Sequence, residues 1–172
     1  GDTRAGSPPS DVSTLGLGAP VTQFLLCVST VEPRKNHELI LDVFDRLSES
    51  SPTLGLVLVG RSGWRCESIV SRITGHREVG RRILWLQNES DARLDHLYRQ
   101  ALLTLAPSHA EGLGLSIMES LGRGTPVVAA DAGAQREAGG DDTEYPSPND
   151  AETWAKVVRR HLDLNGNPSD HH

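Results

Sequence analysis

Five short runs of consecutive apolar residues, separated by stretches whose apolar residues recur at helical spacing, constrain this chain more than any other feature. Phe24–Val28, Leu54–Val59, Ile83–Leu86, Leu102–Ala106 and Pro126–Ala130 are apolar nearly throughout rather than alternating. Strands of that kind are buried on both faces, as in parallel sheets. Gly60 ends the second run and Pro107 the fourth. Asn36 can cap a helix carrying Leu39, Ile40, Val43, Phe44 and Leu47 on one face. Trp64, Ile69, Val70 and Ile73 mark a second helix, and Ser90 can cap a third with Leu94, Leu97, Tyr98 and Ala101. A short helix covers about Leu115–Leu121, stopped by Gly122 and Gly124, and Asp150 can cap a last one with Ala151, Trp154, Ala155, Val158 and Leu162.

This β-α-β-α order predicts an α/β fold, a single Rossmann-like domain whose parallel sheet carries helices on both faces. The expected strand order is 3-2-1-4-5, with Glu144-Tyr145 a candidate for a sixth. The first and fourth strands are then neighbours at the topological switch point, and ligands bind beyond their carboxyl ends. The loops to read are therefore Thr30–Asn36 and Ser108–Leu115.

Length and composition bound the alternatives. With 172 residues the chain is one domain, and no disulfide or metal staple is needed at that size. Ten of the first 20 residues are Gly, Pro or Ser, so 1–20 reads as a flexible linker or boundary segment, 21–163 as the folded domain and 164–172 as a disordered tail. A net charge of −6 disfavours nucleic-acid binding. No apolar run reaches the ~18 residues that would span a bilayer, and Gly1–Pro20 holds no signal-like stretch. Cys27 lies inside an apolar run and reads as a core residue, and the pair Cys27 and Cys66 matches no metal spacing. A reduced, cytoplasmic protein is expected.

The first loop, Thr30-Val31-Glu32-Pro33-Arg34-Lys35-Asn36, sets two cations beside a helix N-terminus, where free amides and the helix dipole favour an anion. An ordinary solvated Arg-Lys pair is the competing reading. The chain has 15 arginines but only two lysines, Lys35 and Lys156, so a lysine here points to a compact ammonium being wanted. The second loop runs Ser108-His109-Ala110-Glu111-Gly112-Leu113-Gly114-Leu115-Ser116-Ile117-Met118-Glu119. Its glycines let backbone approach a ligand closely. Glu111 and Glu119 can reach the same cleft, and carboxylates accept hydrogen bonds from sugar and ribose hydroxyls. Ser116 and Glu119 also fit an S-x-x-E capping box, an alternative that would make Glu119 structural. His109, without a metal partner at helical spacing, reads as a loop histidine.

These segments resemble the retaining nucleotide-sugar glycosyltransferases of GT-B architecture, in the mannosyltransferase-like group, and specifically their carboxy-terminal donor-binding domain. The resemblance covers about residues 23–163. Val28-Ser29-Thr30-Val31-Glu32-Pro33-Arg34-Lys35-Asn36-His37 is similar to the family's phosphate loop, and Glu111-Gly112-Leu113-Gly114-Leu115 followed by Glu119 to its E-x7-E signature. Leu58-Val59-Gly60-Arg61-Ser62-Gly63-Trp64, the segment from Ser90 to Ala101, Gly124-Thr125-Pro126-Val127-Val128-Ala129 and Arg136-Glu137-Ala138-Gly139-Gly140-Asp141 match in order.

The resemblance implies that Lys35 binds the donor diphosphate with Arg34 as a second cation, that Glu119 holds the ribose hydroxyls, and that Glu111 faces the transferred sugar. It further implies that backbone amides at Gly114, Leu115 and Ser116 support the β-phosphate and that main chain near Asn88 and Glu89 meets the base, with Gly60 also in the donor site. Catalysis would then be electrostatic, the cations and helix N-terminus stabilising the departing diphosphate. The acceptor attacks from the leaving-group face, and the phosphate takes its proton. No metal or other cofactor is expected. Expected partners are a nucleotide-sugar donor, with GDP-mannose favoured over UDP- or dTDP-sugars, a saccharide or lipid-linked acceptor, and an amino-terminal acceptor domain of the same enzyme. Without that domain this chain should bind donor but show little or no transferase activity.

Thr30 stands where many members have Arg, Ser116 where Pro is frequent, and Gln87 and Glu89 where Gly and an apolar residue are usual. These departures keep open a degenerate, non-catalytic sugar-nucleotide module. An NAD-dependent dehydrogenase would need G-x-G-x-x-G after the first strand, which is absent. Six arginines between Arg61 and Arg82 could form a patch for a phosphorylated acceptor or for anionic lipid at the inner membrane face, or a solvated basic face.

Overall fold

The computed structural model describes residues 15–109 and 114–164. Five parallel strands, β1 (Gln23–Val28), β2 (Leu54–Val59), β3 (Ile83–Leu86), β4 (Leu103–Ala106) and β5 (Val127–Ala129), form one sheet in the order β3-β2-β1-β4-β5, as the sequence predicts. The central strand β1 pairs Gln23–Val28 with Leu54–Val59 on one side and Leu25-Leu26 with Leu103-Thr104 on the other. Because every pairing is parallel, the loops after all five strands emerge on one rim.

Alternate residues of β1 explain why its run is apolar throughout. Leu25 and Cys27 enter a core with α1 (His37–Leu47), α2 (Glu67–Thr74) and α6 (Ala151–Leu164). Phe24 and Leu26 enter a second core with Leu97 and Tyr98 of α3 (Asp91–Gln100). A third cluster joins Ala106, Val127 and Ala129 to Ile117 of α4 (Leu115–Gly122), and α5 (Gln135–Gly139) packs beside it. Burial in the cores pushes the Cys27 thiol up to about 12, so it stays protonated and inert.

The expected caps at Ser90 and Asp150 are present: Ser90 Oγ accepts from the amide of Arg93 at 3.1 Å and Asp150 Oδ1 from that of Thr153 at 3.0 Å. Three expectations are corrected. Trp64 is not part of the second helix, which starts only at Glu67, because the chain turns at Trp64-Arg65, with Arg65 in the left-handed region, before the helix begins. Glu144-Tyr145 does not form a sixth strand but a single bridge to Val128, with Tyr145 turned to Gly140. The S-x-x-E capping box does not form, because α4 is capped by Gly114 and Ser116 lies inside the helix. Of the six arginines between Arg61 and Arg82, Arg82 is buried and donates to the carbonyls of Leu54, Ser48 and Ser51, Arg72 pairs with Asp42 and Asp45, and Arg61, Arg65, Arg77 and Arg81 are exposed.

Of the proposed linker, 1–14 lies outside the described residues. From Leu15 the chain rests on the domain, Leu15 itself buried and Gly18 and Ala19 donating to the carbonyls of Gly80 and Arg81. The tail beyond Leu164 is also outside the described residues.

Candidate functional site

The rim loop after β1 tightens into a 3₁₀ turn, Pro33–Lys35. Proline pre-sets the dihedral that starts such a turn. Asn36 closes it in the left-handed region, at φ 64 and ψ 39, which asparagine tolerates better than most residues. Asn36 occupies the capping position of α1, but its side chain does not cap the helix. Instead its Nδ2 donates to the carbonyl of Pro107 at 3.0 Å and to that of Pro148 at 2.9 Å. The amide of His109 donates to the carbonyl of Arg34 at 2.9 Å. Two backbone loops from different strands are thereby stitched together, with Arg34 exposed and Lys35 half-buried at the seam.

Beneath that seam sits His37, 1% exposed. Its Nε2 lies 3.3 Å from Ser29 Oγ, and Nδ1 is buried without a hydrogen-bond partner. Burial first, and the charge of Lys35 second, lower its pKa from 6.5 to about 4. His37 is therefore neutral at pH 7 and adds no charge beside the loop cations.

Across the seam, Gly114 starts α4 at φ 63, and a Cβ there would come within 2.6 Å of Ala138 Cβ. Both the dihedral and the packing against α5 demand glycine. The helix is anchored by Ser120, whose Oγ donates to Thr104 Oγ1 at 2.7 Å and to the carbonyl of Thr125 at 3.0 Å. Its first turn, with Leu115 exposed and Ser116 half-buried, presents amides that have no acceptor within the helix. Glu119 is half-buried one turn on. Burial and the nearby Glu119 carboxylate raise the pKa of Tyr98, and Arg123 Nη1 donates to the Glu119 carbonyl at 2.9 Å. Gln135 adds a third stitch, its Nε2 donating to the carbonyl of Ala130 at 2.8 Å and lying 3.4 Å from that of Ser108.

The structure thus brings Arg34, Lys35 and the His109 backbone together, and α4 with Gly114, Leu115, Ser116 and Glu119 begins beyond the same loop. Glu111 lies outside the described residues. Asn88, exposed, and Glu89, half-buried, follow the edge strand β3, two strands from β1. Gly60 is clasped between strand ends: its amide donates to Leu86, and a Cβ there would lie 1.9 Å from the carbonyl oxygen of Ser29. The packing alone requires glycine at 60. Among the described residues no group of three His, Cys, Asp or Glu side chains could hold a metal, and no helix is long and apolar enough to cross a membrane.

Sequence reasoning missed the cross-loop stitch by Asn36 and the buried His37. A signal for the first existed: an asparagine directly after Pro-Arg-Lys suits the left-handed closure of a short turn. His37 follows it as the first helical residue and carries no signal of its own.

The model of the family described as Glycosyl transferases group 1 matches residues 20–171. The chain belongs to that family. This glycosyltransferase domain is 30% identical over 159 residues to the serotype-specific mannosyltransferase WbdA of Escherichia coli, covering 92% of the chain and 19% of the relative. It is 33% identical over 141 residues to the O-antigen chain mannosyltransferase B of Escherichia coli, covering 81% and 36%. The lipopolysaccharide core biosynthesis mannosyltransferase LpsB of Rhizobium meliloti is 31% identical over 143 residues, covering 79% and 40%. The chain therefore spans between 19% and 40% of the length of these relatives. Among solved structures, a glycosyltransferase from Rickettsia africae superposes with a TM-score of 0.76 at 19% identity, covering 91% of this chain and 41% of that one. A trehalose-phosphate synthase from Burkholderia xenovorans gives 0.74 at 16% identity, covering 89% and 37%. These two show the shared fold.

Proposed function

We propose that this domain is the donor half of a retaining hexosyltransferase that moves mannose from GDP-mannose to a saccharide or lipid-linked acceptor. The folded donor unit is residues 21–163, and an amino-terminal acceptor domain completes the cleft. The observation that carries the reading is the stitched seam: Arg34 and Lys35 are held against the loop that leads into α4, so two cations and a helix N-terminus share one side of the switch point. Such an arrangement is built for a diphosphate.

In this reading Lys35 and Arg34 neutralise the charge that builds on the diphosphate as the sugar–phosphate bond breaks, and amides at Gly114, Leu115 and Ser116 receive the β-phosphate. Glu119 accepts from the ribose hydroxyls and Glu111 from the sugar. Main chain near Asn88 and Glu89 meets the base, with Gly60 also in the donor site. The mannosyltransferase names of three relatives support mannose as the sugar. The charge is supplied by side chains, without a metal, and the enzyme works at the cytoplasmic side of the membrane that carries its acceptor.

Titration calorimetry of this chain with GDP, UDP and dTDP tests the donor assignment. GDP is expected to bind and the others to bind more weakly. Preference for UDP or dTDP would replace the base assignment, and binding of none would favour a degenerate module. Anomer analysis of the full-length enzyme's product tests retention.

A further inference from the structure

A second feature of the rim is not used by the donor reading. The loop after β2 leaves Trp64 73% exposed, the most exposed of the large aromatic side chains described. It is held there firmly. The Val31 amide donates to the Arg61 carbonyl at 2.8 Å and the Gly63 amide to the Val31 carbonyl at 2.9 Å, zipping the loop to the one after β1. A Cβ on Gly63 would meet Thr30 Cγ2 at 2.6 Å, so the two strands of this zipper touch. Arg65 stands at φ 53, a costly conformation for a residue with a side chain, and its guanidinium carbon lies 4.3 Å from the Trp64 ring centroid. Arg34 Nε lies 2.7 Å from Glu32 Oε1. Glu32, Pro33, Arg34, Trp64 and Arg65 together line a cleft of about 270 Å³.

We infer that this cleft is a saccharide subsite, taking a sugar ring of the acceptor beside the donor diphosphate. Three observations select that chemistry. An exposed indole offers an apolar face to the C–H face of a pyranose and an N–H that can reach a hydroxyl. The polar groups around it include both an acceptor, the Glu32 carboxylate, and donors, the Arg34 and Arg65 guanidiniums, which is what a neutral polyhydroxyl ligand needs. The volume lies below the ~300–1,000 Å³ of sites for drug-sized ligands, room for one ring rather than a nucleotide sugar. Arg34 belongs to both sites, so a sugar seated on Trp64 lies next to the leaving diphosphate, where an attacking hydroxyl has to be. The inference rests on the glycosyl-transfer reading and extends it to the acceptor.

The test uses this chain and the indole N–H resonances of its three tryptophans. Trp154 is fully buried and Trp85 Nε1 donates to the Gly60 carbonyl, so Trp64 is the one a surface ligand reaches. Mannotriose, with maltotriose as a second saccharide and GDP as the donor probe, is titrated into wild type, Trp64→Ala, Trp64→Phe and Arg65→Gly. The expected result is a saturable shift of the Trp64 indole with mannotriose. Affinity falls about tenfold in Trp64→Ala, the scale of one lost aromatic contact, and is largely kept in Trp64→Phe. Arg65→Gly, whose backbone fits the left-handed position, folds and also binds the saccharide more weakly. GDP affinity stays at the wild-type value in Trp64→Ala. GDP binding with no saccharide shift overturns the subsite and assigns Trp64 to a protein contact. Weaker GDP binding in Trp64→Ala overturns it in favour of the donor. Absence of GDP binding to wild type instead sinks the donor reading while leaving the saccharide shift to be scored by itself.

Discussion

Acidification gives the sharpest test of how the loop after β1 is built. His37 is buried under the loop, and its pKa falls from 6.5 to about 4 through burial first and the Lys35 charge second. In the unfolded chain the imidazole takes up its proton near pH 6.5. The unfolded state therefore binds more protons than the folded one between pH 6.5 and 4, and stability falls as pH drops through that window. Above pH 6.5 both states are neutral and the effect vanishes, and below pH 4 both are charged and the loss levels off. At about 1.4 kcal/mol per pH unit, the full loss is roughly 3 kcal/mol. For a chain of this size that corresponds to a melting temperature about 6–12 °C lower. Urea denaturation of wild type and His37→Gln at pH 7 and pH 4 isolates it. Glutamine retains an amide that can reach Ser29 but cannot titrate, so the variant should lose about 3 kcal/mol less on acidification than wild type. Equal losses in both proteins, or an imidazole resonance of His37 titrating near pH 6.5, would refute the reasoning.

Lys35→Ala in the full-length enzyme should lower turnover by ~10²–10³-fold, the scale of one lost charge-stabilising donor, while circular dichroism stays unchanged. Glu119→Ala should weaken GDP binding by calorimetry with a small change in melting, and the opposite pattern would give Glu119 a structural role beside Tyr98. Asn36→Gly keeps the left-handed backbone but removes both bonds to the Pro107 and Pro148 carbonyls, and should lose about 2–4 kcal/mol in urea together with GDP affinity. Arg82→Met strands three backbone carbonyls that the guanidinium now satisfies, and should cost about 3–5 kcal/mol in the same assay without touching GDP affinity in the folded protein.

The sheet was legible because its information is local. Leu25 and Cys27 face one core and Phe24 and Leu26 the other, so a strand buried on both sides has to be written as an unbroken apolar run. Parallel pairing and right-handed crossovers then leave few strand orders open. Trp64 misled for the same local reason: it is a large apolar residue shortly ahead of Ile69, Val70 and Ile73, and only the zipper between the loops after β1 and β2 shows that it is outside the helix. Arg82 misled through charge, since nothing near it in sequence reveals the three carbonyls of Ser48, Ser51 and Leu54 that it satisfies.

The candidate site divides along the same line. Arg34 and Lys35 could be picked out because a loop after the first strand of such a sheet has to emerge at the switch point. What the sequence hides is how the loops are held, because each tie joins residues far apart in the chain. Asn36 reaches Pro107 and Pro148, Gln135 Nε2 lies 3.4 Å from the Ser108 carbonyl oxygen, and the His109 amide reaches Arg34. These ties spend side chains that read locally as caps and helix starters. Their consequence is physical rather than decorative. On the proposed function, cations on loose loops would lose much of their effect to reorganisation as charge develops on a departing diphosphate, whereas cations fixed beforehand would not. The neutral state of His37 completes the design, since a charged imidazole beneath Lys35 would repel the ammonium that the seam exists to position.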